Sequence, residues 1–171
     1  MKYLRSPITP LFLSVLCFSA ESSHAARPPP PTGEVFFVAS LYQRFAWEAL
    51  LSAPLDKVTA FIDLPRDELV KILEPKLADL LIADRACARR SQSVCRLDFS
   101  PLWASQDPGA LGLGIHAMTP EKTVLVTFRY PGDDGEVRLI YDVDSTSLGY
   151  RISDIRYESG QTLRAILQQP Q

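Results

Sequence analysis

Histidine is scarce in this chain, two in 171 residues, and that scarcity excludes much. His24 lies in the N-terminal leader, so His116 alone could serve as a base or metal ligand beyond it. No nucleophile elbow surrounds His116, which argues against a Ser-His-Asp hydrolase. Metal binding would need His116 plus carboxylates, and a lone histidine is more often structural or exposed, so no metal is expected. No glycine-rich phosphate loop occurs, and no cofactor is expected. A basic excess is missing too: 18 Lys and Arg face 20 Asp and Glu, a net charge of −2. That balance gives no electrostatic footprint for nucleic acid. Long apolar runs are also lacking. Ile8 to Ala20 holds 13 residues interrupted by Pro10, against roughly 20 for a membrane span, so no transmembrane helix is expected.

What the N-terminus does carry is an export signal. Lys2 and Arg5 precede the apolar run, and Ser23-His24-Ala25 offers small residues at the −3 and −1 positions. Residues 1–25 therefore read as a secretory signal peptide cut after about Ala25, which places the protein in the periplasm or outside the cell. Lipidation through Cys17 is the lesser alternative, because a lipoprotein cut wants a small residue where Leu16 stands. Residues 26–33 form a proline-rich linker, with Pro28 to Pro31 favouring a stiff extended segment. Residues 34–171 are expected to form one α+β domain. Cys87 and Cys95 remain once Cys17 is removed, and in an oxidising compartment they pair most simply as a structural disulfide. Closing so short a loop would stabilise the fold by about 2–3 kcal/mol through chain entropy. A redox role would want Cys-x-x-Cys spacing, which is absent.

Hydrophobic periodicity supplies the elements. Val124, Val126, Phe128 and Tyr130 share one face of a strand, and Val137, Leu139, Tyr141 and Val143 share one face of the next. Pro131 to Gly135 and Ser145 to Gly149 are turn chemistry, so an antiparallel meander follows. A third run presents Tyr150, Ile152, Ile155 and Tyr157. The step of three from Ile152 to Ile155 breaks alternation, so either a bulge at Ser153-Asp154 restores the phase or Asp154 points inward. The bulge is favoured, since burying an unpaired polar group costs on the order of 2–7 kcal/mol. Helical spacing marks Glu34 to about Ser52, with Phe37 or Val38, Leu41, Tyr42, Phe45 and Ala49 inward. Leu55 to Ile62 reads as a short helical turn. Pro65 opens another helical pattern with Leu69, Ile72 and Leu73 inward; Pro75 breaks or kinks it. Lys76 to about Arg90 continues with Leu77, Leu80 and Leu81 inward, and Arg85, Arg89 and Arg90 read as a solvated helix end. Arg96 to Phe99 and Leu113 to Met118 are expected as short strands. Gly160 to Gln168 closes the chain as a short amphipathic helix with Leu163, Ile166 and Leu167 inward. Ser100 to Leu113 is irregular, the kind of stretch where sites sit.

Asp98-Phe99, Gln106-Asp107, Tyr150-x-Ile152-x-Asp154-Ile155 and Thr162-Leu163-Arg164-x-x-Leu167 together resemble the bacterial "domain of unknown function 3828" family. The resemblance implies small exported proteins or lipoproteins with a cystatin-like or nuclear-transport-factor-2-like cone. In such a cone, N-terminal helices pack on a curved antiparallel sheet of about four strands, followed by a short C-terminal helix. The Cys87–Cys95 loop and the Leu55–Leu73 region depart from the pattern, and the family brings no agreed reaction.

Two functional readings follow. The first is a non-enzymatic binding protein that meets a protein partner in the periplasm or envelope, an inhibitor or immunity-type partner of an envelope-targeting enzyme. Its binding candidates are Trp103, Gln106, Asp107, Asp154 and Tyr157. The second is a small-ligand binder or isomerase-like enzyme in which Asp98, Asp107 or Asp154 works with a tyrosine among Tyr130, Tyr141, Tyr150 and Tyr157 to move a proton next to a carbonyl. The interior of the cone discriminates between them: if Phe45, Val126, Leu139 and Ile152 fill it, no ligand fits there.

Overall fold

The computed structural model describes residues 32–50, 58–119 and 122–170. The expected signal peptide, most of the linker, and the stretch 51–57 lie outside the described residues. Four strands form one antiparallel sheet in sequential order: β1 (Leu111–Ala117), β2 (Thr123–Arg129), β3 (Glu136–Thr146) and β4 (Gly149–Arg156). Helix α1 (Gly33–Phe45) is followed by the single turn α2 (Trp47–Leu50). A 3-10 turn (Phe61–Asp63), the turn α3 (Arg66–Leu69) and the longer α4 (Pro75–Ser91) come next, and α5 (Leu163–Leu167) closes the chain. The protein is thus an α+β fold with a meander and a short C-terminal helix, as its periodicity predicts.

Helix α1 buries Val35, Val38, Leu41, Tyr42 and Phe45, the i, i+3, i+4 stripe of a helix lying on a sheet. Glu34 in its first turn and Arg44 in its last suit the macrodipole. The stripe runs through Val38; Phe37 is only partly buried and packs beside Tyr150 instead, ring centroids 6.1 Å apart. Across the sheet the inward rows are Val126 with Leu139, and Val124 with Tyr141 and Ile155. The outer face is polar and carries the Arg156–Asp142 and Arg138–Glu136 ion pairs. Asp142 pairs with Asp154 and Val143 with Ile152, so Ser153 is the extra residue of a β-bulge. Both Ile152 and Ile155 are therefore buried, while the Asp154 carboxylate turns aside and accepts the backbone N–H groups of Ile155 and Arg164. With the Thr162 hydroxyl accepting from Ala165, this caps the start of α5.

Three expectations from the sequence are corrected. Pro75 does not break a helix but begins α4, where the missing N–H has no intrahelical partner to lose. Arg96 to Phe99 is not a strand. Buried Asp84 receives the backbone N–H groups of Arg96 and Leu97 at 3.0 and 3.3 Å, and this side-chain pairing takes the place of a strand neighbour. The Cys87–Cys95 disulfide forms, with Cα atoms 6.1 Å apart, and closes the turn that follows α4. Arg85, expected in solvent, instead donates to the carbonyls of Ile62 and Leu64 and ties the 3-10 turn to α4. Beside β4, Ile152 donates to the Ile72 carbonyl and accepts from Glu74, both at 2.8 Å, so that edge of the sheet is covered. The opposite edge, β1, presents exposed Leu111 and Leu113.

The core contains one polar chain. Tyr42 donates to the Leu102 carbonyl at 2.7 Å, and Tyr141 therefore gives its own hydrogen to the Tyr42 oxygen, also at 2.7 Å. Burial raises the pKa of both phenols, so they stay neutral donors. Removing the Tyr42 hydroxyl orphans a carbonyl and a phenol, whereas removing that of Tyr141 orphans neither. Tyr42→Phe is expected to lower stability by about 2–4 kcal/mol and Tyr141→Phe by about 1 kcal/mol. Urea unfolding of the two variants checks this, and equal losses would refute the assigned donor direction.

Candidate functional site

The space between α1 and the sheet is filled: Phe45 is 1% exposed, and Val126, Leu139 and Ile152 are 0% exposed. An opening remains at one end of the sheet. There Phe99, Tyr130 and Tyr157 wall a recess of about 320 Å3, with Ala104, Val137, Leu139 and Ile166 also in its lining and Glu158, Ser159 and Gln161 completing it. The walls are fixed from behind. Tyr130 donates to the carbonyls of Trp103 and Ala104 at 2.8 and 3.0 Å, and Tyr157 donates to that of Pro101 at 3.3 Å. Phe99 meets Tyr157 edge to face, 5.2 Å between centroids and 89° between planes. Burial raises the pKa of Tyr130, with the nearby Glu158 carboxylate adding to it. Burial raises that of Tyr157 as well, helped by Tyr141 and then Asp154.

The 100–105 turn roofs this recess, and it is anchored by a residue that sequence reasoning passed over. Glu48 on α2 accepts the Phe61 backbone N–H at 2.6 Å on one oxygen. On the other it accepts the Ser100 hydroxyl at 3.3 Å and the Trp103 indole N–H at 3.2 Å. Burial raises its pKa above the ordinary 4.5, and the three hydrogen bonds pull the other way. A carboxylate three positions after Phe45, at the spacing of the buried stripe, is the signal that could have found it. Buried Asp84 carries the same signal, three positions after Leu81. Within the turn, Ala104 stands in the left-handed region at φ 49°, held there by its N–H on the Ser100 carbonyl and its own carbonyl on Tyr130. Strain of this kind collects where the surrounding structure over-determines the backbone, often at ligand sites.

The five residues singled out from sequence are divided by the fold. Trp103 is 2% exposed, packed edge-on against Tyr42 and Phe128, and it anchors the roof rather than offering a surface. Tyr157 lines the recess. Asp154 lies close enough to raise the Tyr157 pKa, but its carboxylate caps α5. Gln106 and Asp107 are exposed in the next turn, where Gln106 donates to Asp98 at 3.1 Å and the Asp107 backbone pairs with Ser105. Sequence reasoning gave no role to Phe99, Ala104 or Glu158. His116 stands exposed on β1, opposite Leu125. Among the described residues no cluster of three or more histidine, cysteine and acidic side chains is arranged to hold a metal, and no helix is long and apolar enough to cross a membrane.

Both anchors can be tested. Because Glu48 titrates above 4.5 when folded, its contribution to stability is greatest below that pH and is lost as pH rises through its raised value. Glu48→Gln is expected to cost about 1–3 kcal/mol at neutral pH, since an amide in either orientation turns N–H groups toward a donor, the Phe61 N–H or the Trp103 indole N–H. It should also remove from the stability profile this falling component, which sets in above pH 4.5. Parallel slopes for the two proteins above that pH would refute the titration. Ala104→Gly, by contrast, is expected to leave stability unchanged or raise it by about 1 kcal/mol, as left-handed strain is relieved. Denaturant midpoints decide; a clear loss would mean that the methyl group's packing outweighs the strain. Against these local features stands the wider comparison: no family model, no curated protein and no solved structure matches this chain.

Proposed function

We propose that this chain is an exported binding protein that engages a protein partner in the bacterial envelope, and that it works without catalysing a reaction. The recess carries the reading. It is a space of about 320 Å3 with aromatic walls held in place from behind, at the lower end of the size range of ligand pockets. Its lining holds two tyrosines and one carboxylate, that of Glu158. The tyrosines there donate to backbone carbonyls, and two of the aspartates that the sequence offered as their partners are engaged elsewhere: Asp154 caps a helix, and Asp98 accepts from Gln106. General acid–base catalysis needs a titrating group within reach of a substrate proton, and these hydrogen bonds commit both tyrosine hydroxyls and the Asp98 and Asp154 carboxylates to other partners. The filled centre of the cone counts against a deep substrate cavity in the same way. Export is supported by the leader at residues 1–25 and by the Cys87–Cys95 disulfide, which suits an oxidising compartment. The resemblance to small exported proteins of the cone type agrees with this and supplies the inhibitor or immunity-type role as its most concrete form.

The test is capture from a periplasmic extract with the recess open and blocked. Ser159→Trp places a bulky ring at the recess from an exposed turn position, while Arg138→Ala alters only the outer face of the sheet. A specific partner is expected to bind the wild-type protein and Arg138→Ala equally, and to lose at least about tenfold in affinity, 1.4 kcal/mol, for Ser159→Trp. Equal capture by all three proteins, or no specific capture by any, would overturn the reading.

A further inference from the structure

The chemistry of the recess narrows what it accepts. Three aromatic rings, those of Phe99, Tyr130 and Tyr157, line one small space, and the only ionisable group in the lining besides the tyrosine phenols is the Glu158 carboxylate. No lysine, arginine or histidine lines it. Glu158 is exposed in the turn that joins β4 to α5, and among the described residues its carboxylate enters no ion pair or hydrogen bond. Elsewhere on the surface, acidic side chains find basic partners: Glu68 with Arg44 and Lys71, Asp79 with Arg66, Glu136 with Arg138, and Glu74 with Arg164. Glu158 is one of several surface carboxylates outside such pairs, and it is the one that lines the aromatic recess. Both tyrosine hydroxyls are occupied by backbone carbonyls, which leaves ring surface, and not phenol donors, to meet an occupant. Phe99 and Tyr157 stand nearly perpendicular and so form two walls at a right angle.

Ring faces carry negative quadrupole charge and attract a cation held within about 6 Å, and a carboxylate beside them strengthens the attraction. We propose that the recess receives a basic side chain, lysine or arginine, projecting from the protein partner. The alkyl stem lies against Val137 and Ile166 while the cationic head meets the rings and Glu158, the same division of stem and head by which basic side chains cover apolar surface elsewhere. The space of about 320 Å3 suits one extended side chain and not a folded segment. The turn bearing Glu158 is itself fixed: Gly160 at φ 80° donates to the Tyr157 carbonyl and the Tyr157 N–H donates to that of Gln161, so the backbone that carries Glu158 is set beside the rings before anything binds. This proposal rests on the binding role of the recess stated above.

The test is a nuclear magnetic resonance titration of the protein with Nα-acetyl-arginine amide, with Nα-acetyl-norleucine amide as the uncharged control and tetramethylammonium as a free cation. The arginine probe is expected to shift signals of Phe99, Tyr130, Tyr157 and Glu158, and to bind at least about threefold more tightly than norleucine, the scale of one exposed charge contact with aromatic support. Glu158→Lys, at an exposed turn position, should abolish that preference without unfolding the protein. Norleucine binding as tightly as arginine, or a preference that survives Glu158→Lys, would overturn the proposal. Tetramethylammonium binding more tightly than the arginine probe would overturn it too, replacing a partner's side chain with a free cation. Partner capture separates the two readings. Capture lost with Ser159→Trp but kept with Glu158→Lys overturns the cation and leaves the binding role, whereas capture unaffected by Ser159→Trp removes the binding role itself.

Discussion

The hydroxyl of Tyr141 reaches that of Tyr42 inside the core, and Tyr42 passes its own hydrogen to the Leu102 carbonyl. This short chain joins the first helix, the third strand and the turn before β1, pieces separated by 60 and 99 positions in sequence. Two buried phenols would each cost free energy if left unpaired. Their satisfaction therefore requires that all three pieces arrive together, and the positions of the surrounding rings follow. Trp103 packs edge-on against Tyr42 and Phe128, and Phe128 against Tyr130. The aromatic network ends at Tyr130, and there the recess begins.

The roof of the recess depends on the same constraint from the other side. Glu48 grips the Ser100 and Trp103 side chains, Tyr42 grips Leu102, Tyr130 grips Trp103 and Ala104, and Tyr157 grips Pro101. A turn without helix or strand ladders is thereby held by side chains from α1, α2 and the residues that directly follow β2 and β4. Buried backbone polar groups must be paired, and here side chains do what a ladder would otherwise do. Pre-organisation of this kind lowers the entropy lost on binding, which is why a rigid aromatic wall makes an effective receptor for another molecule's side chain. The bulge at Ser153 contributes from below. By restoring the phase of β4 it buries Ile152 and Ile155 together and leaves Asp154 free to cap α5, which brings Ile166 into the lining.

Much of the fold was legible because it rests on local rules. Alternation along 123–146 marked β2 and β3, and the step of three between Ile152 and Ile155 marked the bulge, because strand faces repeat every two residues whatever lies across from them. The stripe of α1 and the pairing of Cys87 with Cys95 were legible for the same reason. Pro75 misled because a proline that breaks a helix and one that begins it look alike without knowledge of the preceding backbone. Arg96 to Phe99 misled because its backbone partner is the carboxylate of Asp84, from a helix turn many residues earlier.

The site divides along the same line. The sequence by itself determined an α+β meander with an amphipathic helix for its oily face and one disulfide, since periodicity and cysteine spacing are properties of neighbouring residues. Only the tertiary structure decided that Trp103 is a buried anchor, that Asp154 is a cap, and that Phe99, Tyr130, Tyr157 and Glu158 meet at one recess. Those outcomes rest on contacts between distant segments, where a side chain's role is set by which backbone group it must satisfy, and no local pattern records that partner.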